Sequence, residues 1–167
     1  MTLDSKVMDE KSWRLLHELQ HDARLTYAEL GRRVSLSLPA VAERIHKMED
    51  AGIIEGYRAE INPARIGMPI MAFIRISIIG DFTRVTKVVQ ELPEVLECHR
   101  STGADSFILK VQVRSVQHME SVIDKLTPFG TTSTSVVLSS PVKRRVLAAP
   151  GESVALRQRP RRAAKRS

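Results

Sequence analysis

Between residues 9 and 50 the apolar positions recur at three- and four-residue spacing, the period of helices with one buried face. Leu15, Leu16 and Leu19 gather on one side with Trp13, and Asp9 is placed to cap a helix running to about His21. Thr26-Tyr27-Ala28-Glu29 has the form of a capping box, in which the Thr hydroxyl and the Glu carboxylate each satisfy a free backbone N–H. It opens a second helix through Ala28, Leu30 and Val34. Ser35-Leu36-Ser37 then reads as a turn, and Ser37 caps a third helix that tolerates Pro39 in its first turn. Val41, Ile45 and Met48 give that helix one buried stripe, and Gly52 ends it. Two helices joined by three residues, the second with a cationic outer face, form the pattern of a helix-turn-helix. The segment Ile53–Ile61 follows in near alternation, as an extended strand, until Asn62-Pro63 breaks it.

From residue 69 the period changes. Ile70, Ala72, Ile74, Ile76 and Ile78 alternate with Met71, Phe73, Arg75 and Ser77, a strand with one wholly apolar face. Val85, Val88, Val89 and Leu92 return to helical spacing. Val95–Thr102 and Ser106–Val113 are two more strands around the turn Gly103-Ala104-Asp105. A helix carries Val116, Met119, Val122, Ile123 and Leu126, and a last strand covers Thr132–Leu138. The order βαββαβ is that of a ferredoxin-like fold. With both helices on one face, the other face, carrying Met71, Phe73, Leu109 and Val111 or their neighbours, is left for a second subunit to cover. The fold class is therefore α+β. The expected divisions are 1–60 for the helix-turn-helix and its connecting strand, 61–145 for the ferredoxin-like domain, and 146–167 for a basic tail without apolar periodicity.

Charge refines this picture. The net charge of +7 over 167 residues is uneven. Residues 1–60 balance at −2, residues 61–142 at +1 and residues 143–167 at +8. The high pI thus reports the tail, whose cations suit polyanions, nucleic acid first. The single cysteine, Cys98, excludes an intrachain disulfide and a cysteine-based zinc cluster. Cys98 and His99 are consecutive on a strand and point oppositely, so no metal site is expected. No apolar stretch approaches the ~20 residues of a membrane span, and the charged N-terminus lacks the apolar run of a signal peptide. A cytoplasmic, nucleoid-associated location is expected, with no membrane partner. No nucleophile elbow, P-loop or carboxylate pair suggests catalysis, and no catalytic residue or cofactor is expected.

Several pieces together resemble the Lrp/AsnC (feast/famine) transcription regulators over residues 8 to 145. They are the stretch from Leu16 to Arg24, Leu36-Ser37, Glu43-Arg44-Ile45, Gly52 to Tyr57, Asn62-Pro63, Glu97-Cys98-His99, Thr102-Gly103, and Thr132-x-Thr134-x-Val136-Val137. The resemblance implies a winged helix-turn-helix joined to a ferredoxin-like domain of the RAM type that senses an amino acid. It also implies homodimers assembling into tetramers, octamers or larger discs. Two positions depart from the family pattern. The interhelix turn starts with Ser35 where glycine is usual, which demands an uncommon backbone conformation of a serine. In the effector loop the family's Gly-x-x-Asp would put aspartate at residue 106, where this chain has Ser106, with Asp105 one place earlier and pointing the other way.

On this reading Ser37, Pro39, Ala40, Glu43, Arg44 and Lys47 face double-stranded DNA from the third helix, with Arg32 and Arg33 beside them. Arginine and lysine read guanine or hold phosphate, and first-turn N–H groups suit phosphate. Gly103, Ala104, Asp105, Ser106, Thr132 and Thr134 are the candidate effector site, where turn N–H groups and hydroxyls would hold a carboxylate. Two rivals stay open: an architectural, nucleoid-associated DNA-bending protein without effector, and an enzyme like the siroheme decarboxylases, which resemble this family in both domains.

Overall fold

The computed structural model describes residues 7–78 and 80–150 and forms two compact units. One takes in the described residues as far as Ala59 together with those from Arg144, and the other is Glu60–Lys143.

The first unit is three helices, α1 (Glu10–His21), α2 (Tyr27–Val34) and α3 (Leu38–Asp50). Each starts where a polar side chain supplies the missing acceptor. Asp9 accepts from the Ser12 N–H at 2.8 Å, both halves of the Thr26–Glu29 box are made, and Ser37 Oγ accepts from the Ala40 N–H. Leu15, Leu30, Val41, Ile45 and Met48 are fully buried between the helices. Ser35 adopts the left-handed conformation, φ 57° and ψ 56°, which in a residue with a Cβ costs about 1–2 kcal/mol. The turn then folds back on Gly31, whose carbonyl accepts from the Leu36 N–H at 2.9 Å. A Cβ on Gly31 would lie 2.5 Å from the Leu36 carbonyl oxygen, so only glycine permits this approach.

Two features of this unit differ from expectation. No wing accompanies the helices among the described residues, because the extended segment after Ile54 meets no neighbouring strand and its main chain stays unpaired. Only Tyr57 is tied down, its hydroxyl donating to Glu49 at 2.9 Å. Secondly, the segment beyond Arg144 returns to α1. The Gln20 side chain amide accepts from the Leu147 N–H at 2.8 Å and donates to its carbonyl at 3.0 Å, completing both main-chain bonds of one residue. The basic residues from 151 onward lie outside the described residues.

The second unit is β1 (Ile70–Ile78), α4 (Phe82–Glu91), β2 (Val95–Arg100), β3 (Phe107–Val113), α5 (Val116–Leu126) and β4 (Gly130–Val136). The strands form one antiparallel sheet in the order β2-β3-β1-β4. Ala72, Ile74 and Ile76 of β1 and Leu109, Val111 and Val113 of β3 pack with Val85, Val89, Met119, Val122 and Leu126 on the side covered by both helices. Leu109 and Val111, expected on the open face, therefore belong to the core. Register decides this: Leu109 pairs with Ile74 and Val111 with Ala72, and paired residues share a face. The open face carries Met71, Phe73 and Arg75 of β1 with their neighbours Ile108 and Lys110 of β3. Across the helical side, Glu94 at the head of β2 bonds His118 of α5 at 2.8 Å, which keeps its carboxyl below the ordinary range. No described helix is long and apolar enough to cross a membrane.

Candidate DNA-binding and effector sites

On α3 the buried stripe turns Leu38, Pro39, Glu43, His46 and Lys47 to solvent, while Ala40 and Arg44 are half-buried. Ser37 is exposed at the head of the helix, where the first-turn N–H groups and the positive end of the helix dipole face outward. Lys47 pairs with Glu43 one turn back at 2.6 Å. Such a pair on an exposed face is worth ~0.2–1 kcal/mol, so it opens readily when phosphate competes for the lysine. On α2, Arg33 is paired with Glu18, whereas Arg32 is exposed and makes no ion pair among the described residues. Leu38, 54% exposed, was not singled out by the apolar periodicity because it stands off the Val41–Ile45–Met48 stripe. An exposed leucine at the start of such a helix suits a thymine methyl group.

Arg44 has a further task. Its Nη1 lies 2.7 Å from both oxygens of Asp9 and 3.0 Å from the buried Ser12 hydroxyl. Asp9 caps α1, so Arg44 fastens α3 to the first turn of α1. Partial burial would raise the Asp9 carboxyl, but the Ser12 N–H and the Arg44 guanidinium outweigh it and hold the group below its ordinary value. The expected behaviour is that of a scaffold residue. Arg44→Ala and Asp9→Ala each lower the thermal midpoint of this unit, and the double variant falls short of the sum of the two losses. Below those midpoints Arg44→Ala loses affinity for operator and for random duplex in parallel. An excess loss of about 1–3 kcal/mol on operator in a binding titration would instead mark a base contact.

The second site is the loop between β2 and β3. Ser101 Oγ donates to the Asp105 carbonyl at 2.6 Å and the Ser101 N–H to the Ser106 carbonyl at 3.1 Å. Ser77 of β1 donates to the Ala104 carbonyl at 2.7 Å. The Ser106 N–H donates to the Ile76 carbonyl at 2.8 Å, while its hydroxyl accepts from the Ile78 N–H at 3.1 Å. Gly103 sits at φ +107°, a conformation that glycine supplies without strain. Gly103, Ala104, Asp105 and Ser106 are thus one closed loop pinned to the end of β1. The Asp105 carboxylate faces Arg75 Nε at 3.8 Å, on the open side of the sheet. Thr132 and Thr134 pair opposite Ile76 and Ile74 and so stand on the helical side. Within one chain the six residues do not line a single cleft. Arg75, Ser77 and Arg100, the last residue of β2, complete this end of the sheet and were not among the expected residues. Arg75 had a visible signal, as the one charge in the alternating run of β1. Among the described residues no group of three or more His, Cys, Asp or Glu comes together to hold a metal ion.

Comparison with known proteins identifies both domains. Residues 8–49 match the AsnC-type helix-turn-helix domain, and residues 71–147 match the Lrp/AsnC ligand binding domain. The transcriptional regulator LrpC of Bacillus subtilis is 33% identical over 133 residues, covering 79% of this chain and 92% of that protein. The chain belongs to the Lrp/AsnC family. The regulatory protein AsnC of Escherichia coli is 29% identical to this regulator, covering 86% of it and 99% of its own length. Among solved structures, Bacillus subtilis LrpC superposes with a TM-score of 0.79 at 32% identity, covering 82% of this chain and 99% of that one. A Neisseria meningitidis transcriptional regulator in complex with L-methionine also gives 0.79 at 31% identity, over 84% and 96% of the two chains. This Lrp/AsnC regulator accordingly pairs a DNA-binding helix-turn-helix with a ligand-binding domain, and its named relatives are regulators rather than enzymes.

Proposed function

We propose that this regulator binds double-stranded DNA sequence-specifically through α3 and that an amino acid tunes its assembly and DNA binding in the cytoplasm. The observation that carries the reading is the helix pair itself. A left-handed Ser35 and a closely packed Gly31 set α3 against α2 with Ser37, Pro39, Glu43 and Lys47 outward, a face shaped for a major groove. A homodimer follows from the open side of the sheet, where Met71, Phe73 and Ile108 need cover and a second copy supplies the same surface. Assembly to tetramers or octamers is the expected next level. The L-methionine complex of the Neisseria relative supports an amino acid as the class of effector. The +8 balance of residues 143–167 favours a second reading, an architectural protein that holds DNA with little specificity.

Binding to the DNA upstream of its own gene and to random duplex at one fixed salt concentration separates the two. The regulator should favour its own site by about 10³-fold or more. A ratio near one would establish the architectural reading instead.

A further inference from the structure

Leu147 is held by its main chain rather than by its side chain. Gln20 Nε2 donates to the Leu147 carbonyl at 3.0 Å and Gln20 Oε1 accepts from the Leu147 N–H at 2.8 Å, while the leucine side chain stays 73% exposed. A side-chain amide offers a donor and an acceptor side by side, the same pair that a neighbouring strand would present. Val146, Ala148 and Ala149 are half-buried around this clamp. Residues 147–150 line one groove with Trp13 and His17 of α1 and with Val34, the last residue of α2.

Two anchors bracket the stretch before it. The Val137 N–H donates to the Met71 carbonyl at 2.9 Å, and Leu147 is fastened to Gln20. Between them residues 138–146 make no hydrogen bond among the described residues. The clamp therefore decides where the basic segment is rooted. The first cation past it, Arg157, stands seven positions beyond Pro150 but twenty beyond Val137. Six cations lie within the ten residues from Arg157 to Arg166. Val34, in the wall of the groove, leads in three residues to Ser37, the cap of α3, a distance of at most about 11 Å. Seven residues from Pro150 span at most about 25 Å, which lets those cations reach the phosphates of a duplex held by α3.

We propose that Gln20 and the groove beside it are a docking site for the chain's own residues 146–150, which roots the basic segment on the helix-turn-helix so that its cations and α3 bind one stretch of duplex DNA as a single surface. This rests on the reading of α3 as the DNA-binding helix. Gln20 is then a positioning residue, acting on DNA only through the segment it holds. Shortening the span to the first cation from twenty residues to seven raises the concentration of the cations at the duplex about fivefold, because that concentration falls roughly as the −3/2 power of length.

The test compares the full chain with the chain cut after Pro150, each with and without Gln20→Met. Methionine keeps the length and helix propensity of the side chain and removes both bonds to Leu147. All four are titrated by fluorescence anisotropy against duplex from upstream of the regulator's own gene, at one low salt concentration. In the full chain Gln20→Met should weaken binding by about fivefold, and in the cut chain it should change nothing. Ala148→Gln together with Ala149→Gln, which crowds the segment out of the groove without altering charge, should reproduce the full-chain loss. Release is read independently from Trp13, which lines the groove and whose emission should move to the red as water enters. Equal losses in the full and cut chains would make the clamp a support of α1 alone and overturn the proposal. So would full affinity in the released variants, unmoved Trp13 emission in both of them, or a cut chain that binds as tightly as the full one or more tightly. Each of those outcomes leaves the reading of α3 standing. If no form of the chain binds the duplex, that reading fails and the proposal with it.

Discussion

Ile45→Ala should abolish DNA binding while leaving the oligomer intact. Ile45 is fully buried in the core of the first unit, against the side of α3 that meets α1 and α2. Removing three methyl or methylene groups there loses their transfer free energy and leaves a cavity, together about 2–5 kcal/mol. That is a large part of the stability of so small a unit. The core of the second unit shares no residue with it, so the ligand-binding domain and its self-association should survive. One probe separates the two. Trp13 is the only tryptophan and belongs to the first unit, so its fluorescence follows that unit alone. The denaturation midpoint by tryptophan emission should fall sharply while the sedimentation coefficient of the undenatured protein holds. Loss of both together would mean that the units fold as one.

Removal of residues 151–167 should flatten the salt dependence of DNA binding. The segment holds Arg157, Arg159, Arg161, Arg162, Lys165 and Arg166 against a single acid, Glu152. Each neutralised phosphate contributes roughly 0.9 to the slope of log affinity against log salt, so six cations contribute about 5 at most. Between about 50 and 200 mM salt, a slope of that size corresponds to roughly a 10³-fold change in affinity, which the truncated protein would no longer show. The cut belongs after Pro150. Leu147 is bound through both its main-chain groups to Gln20, and an earlier end would disturb α1 as well as the charge. An unchanged slope would mean that these cations do not touch DNA, and the basic segment would then be only a solubilising extension.

Much of the architecture was legible because the interactions that set it are short-range. The caps at Asp9, Thr26 and Ser37 each join groups three residues apart, so the residue types at that spacing suffice to place a helix start. Alternation in β1 and the three-four spacing of α3 name the buried faces directly. The unusual conformation demanded of Ser35 also follows from local geometry, since the turn has one shape whichever residue opens it. These local terms determine the element order, the two kinds of domain and the face of α3 that stays exposed.

The choice of partners belongs to the tertiary structure. Arg44 stands on the edge of an amphipathic helix, and its spacing does not reveal that Asp9, 35 positions earlier, will neutralise it. Gln20 meets Leu147 across 127 positions, which returns a segment expected to be tail to the first helix. In the loop between β2 and β3 the order Asp105-Ser106 was readable, but not that Asp105 would face Arg75 or that the Ser106 hydroxyl would hold β1. Thr132 and Thr134 were grouped with the loop by likeness, yet the register puts them opposite Ile76 and Ile74, on the helical side. A side chain finds whichever group the folded backbone brings within 3 or 4 Å, and that distance is set by sheet register and helix packing. The sequence alone therefore determined which elements form and which faces are polar, while the register and packing decided which of those polar groups remain free to bind something else.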